Sequence, residues 1–205
     1  MKKRILSLFL IIMMGASFLS NHFAISFYDL NRNHWAYATI ISLAESGVIN
    51  GYPDGSYQPE KTVTRAEYLK LIMTALYGGN DSFETSELRK VHWAFPYVWE
   101  ARKCGYIEEN YIVHTSDIDR AITRLEMAKI LASICSANQI SAATSNYQAP
   151  SFSDTKNLSA TARNAISVVA KNAFIKGYPD GTFGPDKIMS RAECATIIER
   201  FMNAL

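Results

Sequence analysis

Apolar residues recur every three to four positions in several stretches of the chain, and these stretches are bounded by glycine or by a Thr/Ser-Arg-x-Glu tetrad. From Trp35 to Ser46 the apolar positions Ile40, Ile41, Leu43 and Ala44 predict a helix that Gly47 ends. A second helix is predicted from Thr64 onward, with Ala66, Leu69, Ile72, Met73 and Leu76 on one face. The same face returns later as Ala195, Ile198, Phe201 and Met202. Thr64-x-x-Glu67 opens the second helix as a capping box, in which the Thr hydroxyl accepts from the Glu amide and the Glu carboxylate reaches back to the Thr amide. Between the two helices, Tyr52-Pro53-Asp54-Gly55 suits a type I turn, with Pro at its second position and Gly at its fourth. The unit is helix, loop, helix, and the fold class it implies is all-α.

The unit repeats. Gly51-Tyr52-Pro53-Asp54-Gly55 returns unchanged as Gly177-Tyr178-Pro179-Asp180-Gly181. In both copies an arginine follows 14 residues after the first Gly, Arg65 in Thr64–Glu67 and Arg191 in Ser190–Glu193. A middle tetrad, Thr123-Arg124-Leu125-Glu126, places the three arginines 59 and 67 residues apart. His34-Trp35-Ala36 and His92-Trp93-Ala94 share a register, each Trp standing 12 residues before Gly47 or Gly105. Phe27-x-Asp29 opens the first unit and Phe152-x-Asp154 the third. Polar segments, Gly78 to Ser86 and Ser136 to Ser151, separate the units, and nothing in the 205 residues is left for a separate catalytic domain. A single helical hairpin of this length cannot bury its apolar face, whereas three together can.

The copies are unequal. The middle one has Glu109-Asn110-Tyr111 where the glycine loop is expected, and Glu87 where the first unit has Asp29. The third has Ala160 or Thr161 where a Trp is expected.

The N-terminal segment reads differently. Lys2, Lys3 and Arg4 precede an apolar run from Ile5 to Met14 and then small and polar residues to Ala24. This is the pattern of a secretory signal peptide; the run is short of the ~20 residues a membrane span needs, with an uncleaved anchor as the alternative. Those 24 residues hold three basic and no acidic side chains, so the formal charge of +2 becomes −1 without them. A nearly neutral mature chain has no basic field with which to hold nucleic acid or an anionic membrane. Cys104, Cys135 and Cys194 lie singly in apolar stretches and read as small buried hydrophobes, without metal-ligand spacing. No cofactor or metal is implied.

The ordered set of Phe27, Asp29, Trp35, the Gly51–Gly55 loop with Tyr57 and Pro59, and Thr64–Glu67, repeated over residues 25–204, resembles the S-layer homology family. With the signal-peptide pattern taken as 1–24, the resemblance implies three repeats, 25–82, a divergent 83–146, and 147–205. It implies a pseudo-threefold domain around a central three-helix bundle. It further implies a cell-surface protein, associated with the S-layer, that binds secondary cell-wall polysaccharide linked to peptidoglycan in grooves between repeats. Such glycans carry pyruvylated amino sugars.

The candidate binding residues are Arg65, Arg124, Arg191, Trp35, Trp93, Asp29, Asp154, Gly51, Tyr52, Gly177 and Tyr178. A cation in the first turn of a helix opposes the helix dipole by about 0.3–1 kcal/mol, so meeting it three times points to an anionic guest. Arg can hold a carboxylate such as a pyruvate ketal through two parallel hydrogen bonds. The alternative is an ion pair between each Arg and an acid of a neighbouring repeat; Arg65 is the position most firmly expected to bind. Trp35 and Trp93 can stack on sugar or fill core, with core slightly favoured, and Trp99 reads as core. Asp29 and Asp154 can meet sugar hydroxyls, orient an Arg, or cap the next helix. The loop glycines let backbone approach a ligand closely, and Tyr52 and Tyr178 line the groove. His34 and His92 are expected to pack or face solvent. Because the copies differ, one or two working grooves are expected rather than three.

The leading function is a non-catalytic carbohydrate-binding wall module. An exported adaptor that binds another surface protein is the second reading. A wall hydrolase is a distant third, since no pair of facing carboxylates and no nucleophile with its base can be assigned.

Overall fold

The computed structural model describes residues 25–78, 90–112, 114–140 and 150–205. The expected signal peptide, Glu87 and most of both separating segments lie outside the described residues. The six described α-helices are α1 (Tyr37–Glu45), α2 (Arg65–Tyr77), α3 (Phe95–Lys103), α4 (Arg124–Ala137), α5 (Ala160–Lys171) and α6 (Arg191–Met202). Short 3-10 turns at Thr115–Asp119 and Ser153–Thr155 join them, and the only β pairing among the described residues is three isolated bridges. The fold is all-α.

Each tetrad starts a helix as expected. Thr64 with Glu67, Thr123 with Glu126, and Ser190 with Glu193 all form reciprocal capping boxes. A cap of this kind stabilises its helix by about 1 kcal/mol. Gly47 and Gly105 follow the ends of α1 and α3 in the left-handed conformation, with φ of 74° and 71°. After α5 the same position is Ala173, held at φ 55°.

The segments that lead into α2, α4 and α6 meet at the centre of the molecule. The Val63 amide donates to the Met189 carbonyl (3.0 Å), the Met189 amide to Ile122 (3.3 Å), and the Ile122 amide to Val63 (2.9 Å), which closes a ring of three hydrogen bonds. Val63, Ile122 and Met189 are fully buried there. One residue into each helix the exchange continues. The amides of Arg65, Arg124 and Arg191 donate to the carbonyls of Arg120, Lys187 and Lys61, each at 2.9 Å.

The units are also linked through their helices. The main helical partner of α3 is α2, that of α5 is α4, and α1 lies on α6 at the far end of the chain. The first helix of each unit therefore packs on the second helix of the unit before it, and the last unit is closed by the first. This differs from a hairpin folding on itself. The physical reason is the loop: it carries the chain from α1 to the central ring, so α2 turns its apolar face to a neighbour. The expected faces are buried: Ala66, Leu69, Ile72 and Met73 in α2, and Ala195, Ile198 and Phe201 in α6. They join one continuous core, with Leu76 and Met202 at its margin.

The cysteines are unpaired. Cys135 and Cys194 are buried, and burial pushes the Cys135 thiol up to about 11. They act as core hydrophobes, as their surroundings in the sequence imply, while Cys104 is half-buried.

Candidate ligand grooves between units

The Gly51–Gly55 loop is built by local chemistry that the third unit copies. The Gly55 amide donates to the Tyr52 carbonyl (2.9 Å) and the Tyr52 amide to Ser56 (2.8 Å); Gly181 with Tyr178 and Tyr178 with Thr182 repeat both bonds at 3.0 and 2.8 Å. The Ser56 hydroxyl and amide donate to Asp54 and hold its carboxyl below the ordinary range, as Thr182 does for Asp180.

The opening Phe-x-Asp braces this loop. Asp29 accepts the amides of Tyr57 (2.7 Å) and Gln58 (2.8 Å), and Asp154 accepts those of Phe183 (2.9 Å) and Gly184 (2.7 Å). Both carboxylates are thus engaged within the fold, in a role different from helix capping. A Cβ on Gly51 would stand 2.4 Å from Phe27 Cε1, and one on Gly177 would stand 2.2 Å from Phe152 Cε1. These glycines admit the phenyl ring. The middle unit has Glu109-Asn110-Tyr111 in place of the glycine loop.

The three arginines point across unit boundaries into neighbouring loops and make different bonds there. Arg191, at the start of α6, donates from Nε to the Tyr57 carbonyl (2.8 Å) and from Nη2 to the Asn50 carbonyl (3.0 Å). Its guanidinium lies 4.8 Å from the Tyr52 ring and 4.5 Å from Tyr57, while Lys61 approaches Tyr52 at 4.6 Å. Arg124 donates to the Lys176 carbonyl and lies over Tyr178 (4.8 Å) and Phe183 (5.1 Å). It is only 6% exposed, and burial pulls its pKa down. Arg65, 8% exposed, pairs with Glu126 of the second unit, lies over Tyr111 (4.7 Å) and contacts the Tyr111 and Asp117 carbonyls. Burial, the largest single influence, pulls its pKa down, but the bond to Glu126 together with Tyr111 and the charges of Glu126 and Asp117 outweighs that and leaves it raised. For Arg65 the ion-pair alternative is therefore the geometry found.

The helix starts are less open than the dipole argument assumes. The first amides are taken by neighbouring units, and Leu125 and Ala192 also donate to Pro185 and Pro59. The capping side chains take a further amide. An anion there would have to be held by the guanidinium and nearby lysines rather than by bare amides.

Among the described residues, three grooves lie along these contacts. The largest, about 730 Å³, joins Arg191 of the third unit, Gly51, Tyr52 and Tyr57 of the first unit's loop, Glu67, Lys70 and Leu71 of α2, and Trp93 of the second unit. The second, about 410 Å³, joins Tyr111, Glu126, Lys129 and Ile130 with Thr161 and Asn164 of the third unit. The third, about 110 Å³, joins Arg124, Lys176, Glu193, Ile197 and Arg200 with Trp35 of the first unit. In the Arg191 and Arg124 grooves cations outnumber acids. In the second, Glu108 and Glu126 face Lys129, and Glu126 is paired with Arg65, which does not line the groove.

Trp93 and Trp35 are 43% and 63% exposed, so both stand at groove rims rather than in core. Trp99, at 57% exposed, is also outside the core. The expected Trp, Tyr and Arg do come together at the Arg191 and Arg124 grooves, each of which draws on three different units, whereas the second groove is lined by the second and third units alone. Tyr178 is brought under Arg124, and Gly177 to the Phe152 ring. Sequence reasoning missed the lysines. Glu67-x-x-Lys70 and Glu126-x-x-Lys129 were the signal, because a three-residue step on a helix places both side chains on one face. The Tyr52 hydroxyl is buried beside the largest groove without a partner among the described residues.

The arrangement defines a class: a repeat module whose aromatic and cationic grooves form only where units interlock. The S-layer homology domain matches at residues 26–69 and 151–195. The exoglucanase XynX of Acetivibrio thermocellus is 34% identical over 178 residues, 85% of this chain and 16% of that protein. A cellulosome-anchoring protein of the same organism is 30% identical over 168 residues, 74% of this chain and 34% of that protein. An S-layer protein of Bacillus thuringiensis subsp. finitimus is 24% identical over 180 residues, 85% of this chain and 21% of that protein. The chain belongs to the S-layer homology family and is a cell-surface or cell-wall associated protein. It spans only a minor part of the length of these relatives. Among the described residues no helix is long and apolar enough to cross a membrane.

Proposed function

We propose that the chain is a non-catalytic anchoring module that binds secondary cell-wall polysaccharide, a pyruvylated amino-sugar glycan, in grooves between its units. In this reading a cleaved signal at 1–24 precedes three repeats, 25–82, 83–146 and 147–205, related by a pseudo-threefold axis through the ring of Val63, Ile122 and Met189. The observation that carries the proposal is the Arg191 groove. Among the described residues its guanidinium bonds only to neutral carbonyls, Lys70 adds a second cation, and Trp93 offers an exposed ring at the rim. A carboxylate on a sugar meets Arg191 there while the apolar face of the ring lies on the indole. The Arg124 groove is a smaller second site. The second groove, where Glu108 and Glu126 outnumber Lys129 and Thr161 stands in place of a Trp, is in this reading not a site for an acidic sugar.

Trp99 and Val91 are exposed and line none of the three grooves, which supports the adaptor as a second reading. Single exposed apolar side chains are common on soluble proteins, so it ranks below the first. The two are separated by sedimenting the protein with purified sacculi before and after the secondary polysaccharide is stripped. Loss of binding on stripping is the expected result, and binding that survives stripping overturns the proposal.

A further inference from the structure

Both tryptophans at the groove rims follow a histidine, and the two histidines make the same three contacts. His34 Nδ1 accepts the Ala36 amide at 3.2 Å, its Nε2 lies 3.1 Å from Glu60 Oε1, and its ring stacks on Trp35 with centroids 5.6 Å apart. His92 Nδ1 accepts the Ala94 amide at 3.1 Å, its Nε2 lies 3.3 Å from Asp119 Oδ1, and its ring is 5.5 Å from Trp93. An Nδ1 that accepts from an amide carries no proton, so the ring proton sits on Nε2 and points at the carboxylate. Each imidazole is pinned at both nitrogens. The histidine side chains are 18% and 14% exposed, while the indoles they touch are open to solvent.

The third unit supplies the contrast. Its position matching the two tryptophans is Thr161, preceded by Ala160, and there the helix starts from Ser159, whose side chain accepts the Ala162 amide. Where the Trp is missing the His is missing too, and a serine takes over the helix start. Helix capping alone would not call for an imidazole, since serine does it.

We infer that His34 and His92 are positioning residues: each holds the neighbouring indole in the orientation in which it receives a saccharide ring in the Arg124 and Arg191 grooves. This rests on the proposed glycan reading of those grooves. An exposed indole loses rotamer freedom when it binds, and a ring packed against a pinned imidazole, stacked at Trp35 and tilted by 33° at Trp93, has already given that freedom up. His92→Asn is the diagnostic variant, because Asn can still accept the Ala94 amide through its side-chain oxygen while removing the ring. With the full chain labelled with 15N, the heteronuclear relaxation of the Trp93 indole N–H is measured, with Trp99 as internal control. In His92→Asn the Trp93 indole becomes mobile, Trp99 does not change, the thermal midpoint stays within a degree or two, and retention on purified sacculi falls roughly tenfold. His92→Gln, which can reach both partners but has no ring, behaves in the same way. An indole equally rigid in the parent and both variants overturns the positioning role. A mobile indole with undiminished retention leaves the clamp standing and instead overturns the reading of the Trp93 groove as a glycan site.

Discussion

Arg65 and Glu126 form an ion pair across the first and second units, and this bond sets Arg65 apart from Arg124 and Arg191, whose hydrogen bonds go to main-chain carbonyls. Both partners are largely buried, with side-chain exposures of 10% and 20%. Removing one member of such a pair strands the other's charge at a cost of about 3 kcal/mol. Arg65→Ala is therefore expected to lower stability in chemical denaturation by about that amount, while leaving the Arg191 groove intact.

Glycine at 51 and 177 is required by a ring rather than by a turn. Gly177→Ala places its methyl against Phe152, with the Thr182 carbonyl at 3.0 Å, and Gly51→Ala meets both Phe27 and the Ser56 carbonyl, the latter at 2.7 Å. Each is expected to cost about 1–3 kcal/mol in thermal or denaturant unfolding. Adding Phe152→Leu restores much of the loss at 177. Adding Phe27→Leu restores less at 51, because the carbonyl clash remains.

Ala173 occupies the left-handed position that Gly47 and Gly105 occupy after α1 and α3. A side chain there costs roughly 1 kcal/mol, partly offset by the smaller unfolded-state entropy of alanine. Ala173→Gly is expected to stabilise the protein by about 0.5 kcal/mol, and Gly105→Ala to destabilise it by about 1 kcal/mol, both read from the unfolding midpoint.

The braced loops impose a sign on the acid response. Asp54 and Asp180 have carboxyls held below the ordinary value by Ser56 and Thr182. A depressed native pKa contributes stability that is fully present above the unfolded value, near pH 4, and is lost as pH falls through the native one. The double variant Asp54→Asn, Asp180→Asn is expected to be slightly less stable at pH 7. Its midpoint should approach that of the parent as pH falls below about 4.

Much of the fold was legible because it is written in local spacing. The capping boxes, the turn at Tyr52–Gly55, the helix stops at Gly47 and Gly105 and the buried faces of α2 and α6 depend on residues within one or two turns of each other. The interlock was not legible. Nothing in the spacing of Arg191 says that it reaches Tyr57, 134 residues away, or that Trp93 belongs to the same groove. Periodicity shows which face is apolar but not which helix covers it, and so α1 lies on α6 rather than completing a hairpin. The tryptophans read as core because large aromatic residues usually contribute to it; their exposure follows from Trp35 and Trp93 standing just before α1 and α3, and from Trp99 lying on α3 apart from its buried residues Tyr97, Val98 and Ala101. Asp29 shows the same limit from another side. Its type allowed a sugar contact, and only the folded chain brings the Tyr57 and Gln58 amides to it.

The most direct measurement of the central claim compares retention on purified sacculi for Arg191→Ala and Arg65→Ala at matched fractions of folded protein. Loss of a charge-assisted contact to a carboxylate is worth about 1.5–3 kcal/mol, so Arg191→Ala is expected to weaken binding at least about tenfold with little change in unfolding midpoint. Arg65→Ala is expected to unfold earlier yet bind normally once folded. Undiminished retention by Arg191→Ala, with loss confined to Arg65→Ala, would contradict the assignment of binding to the Arg191 groove.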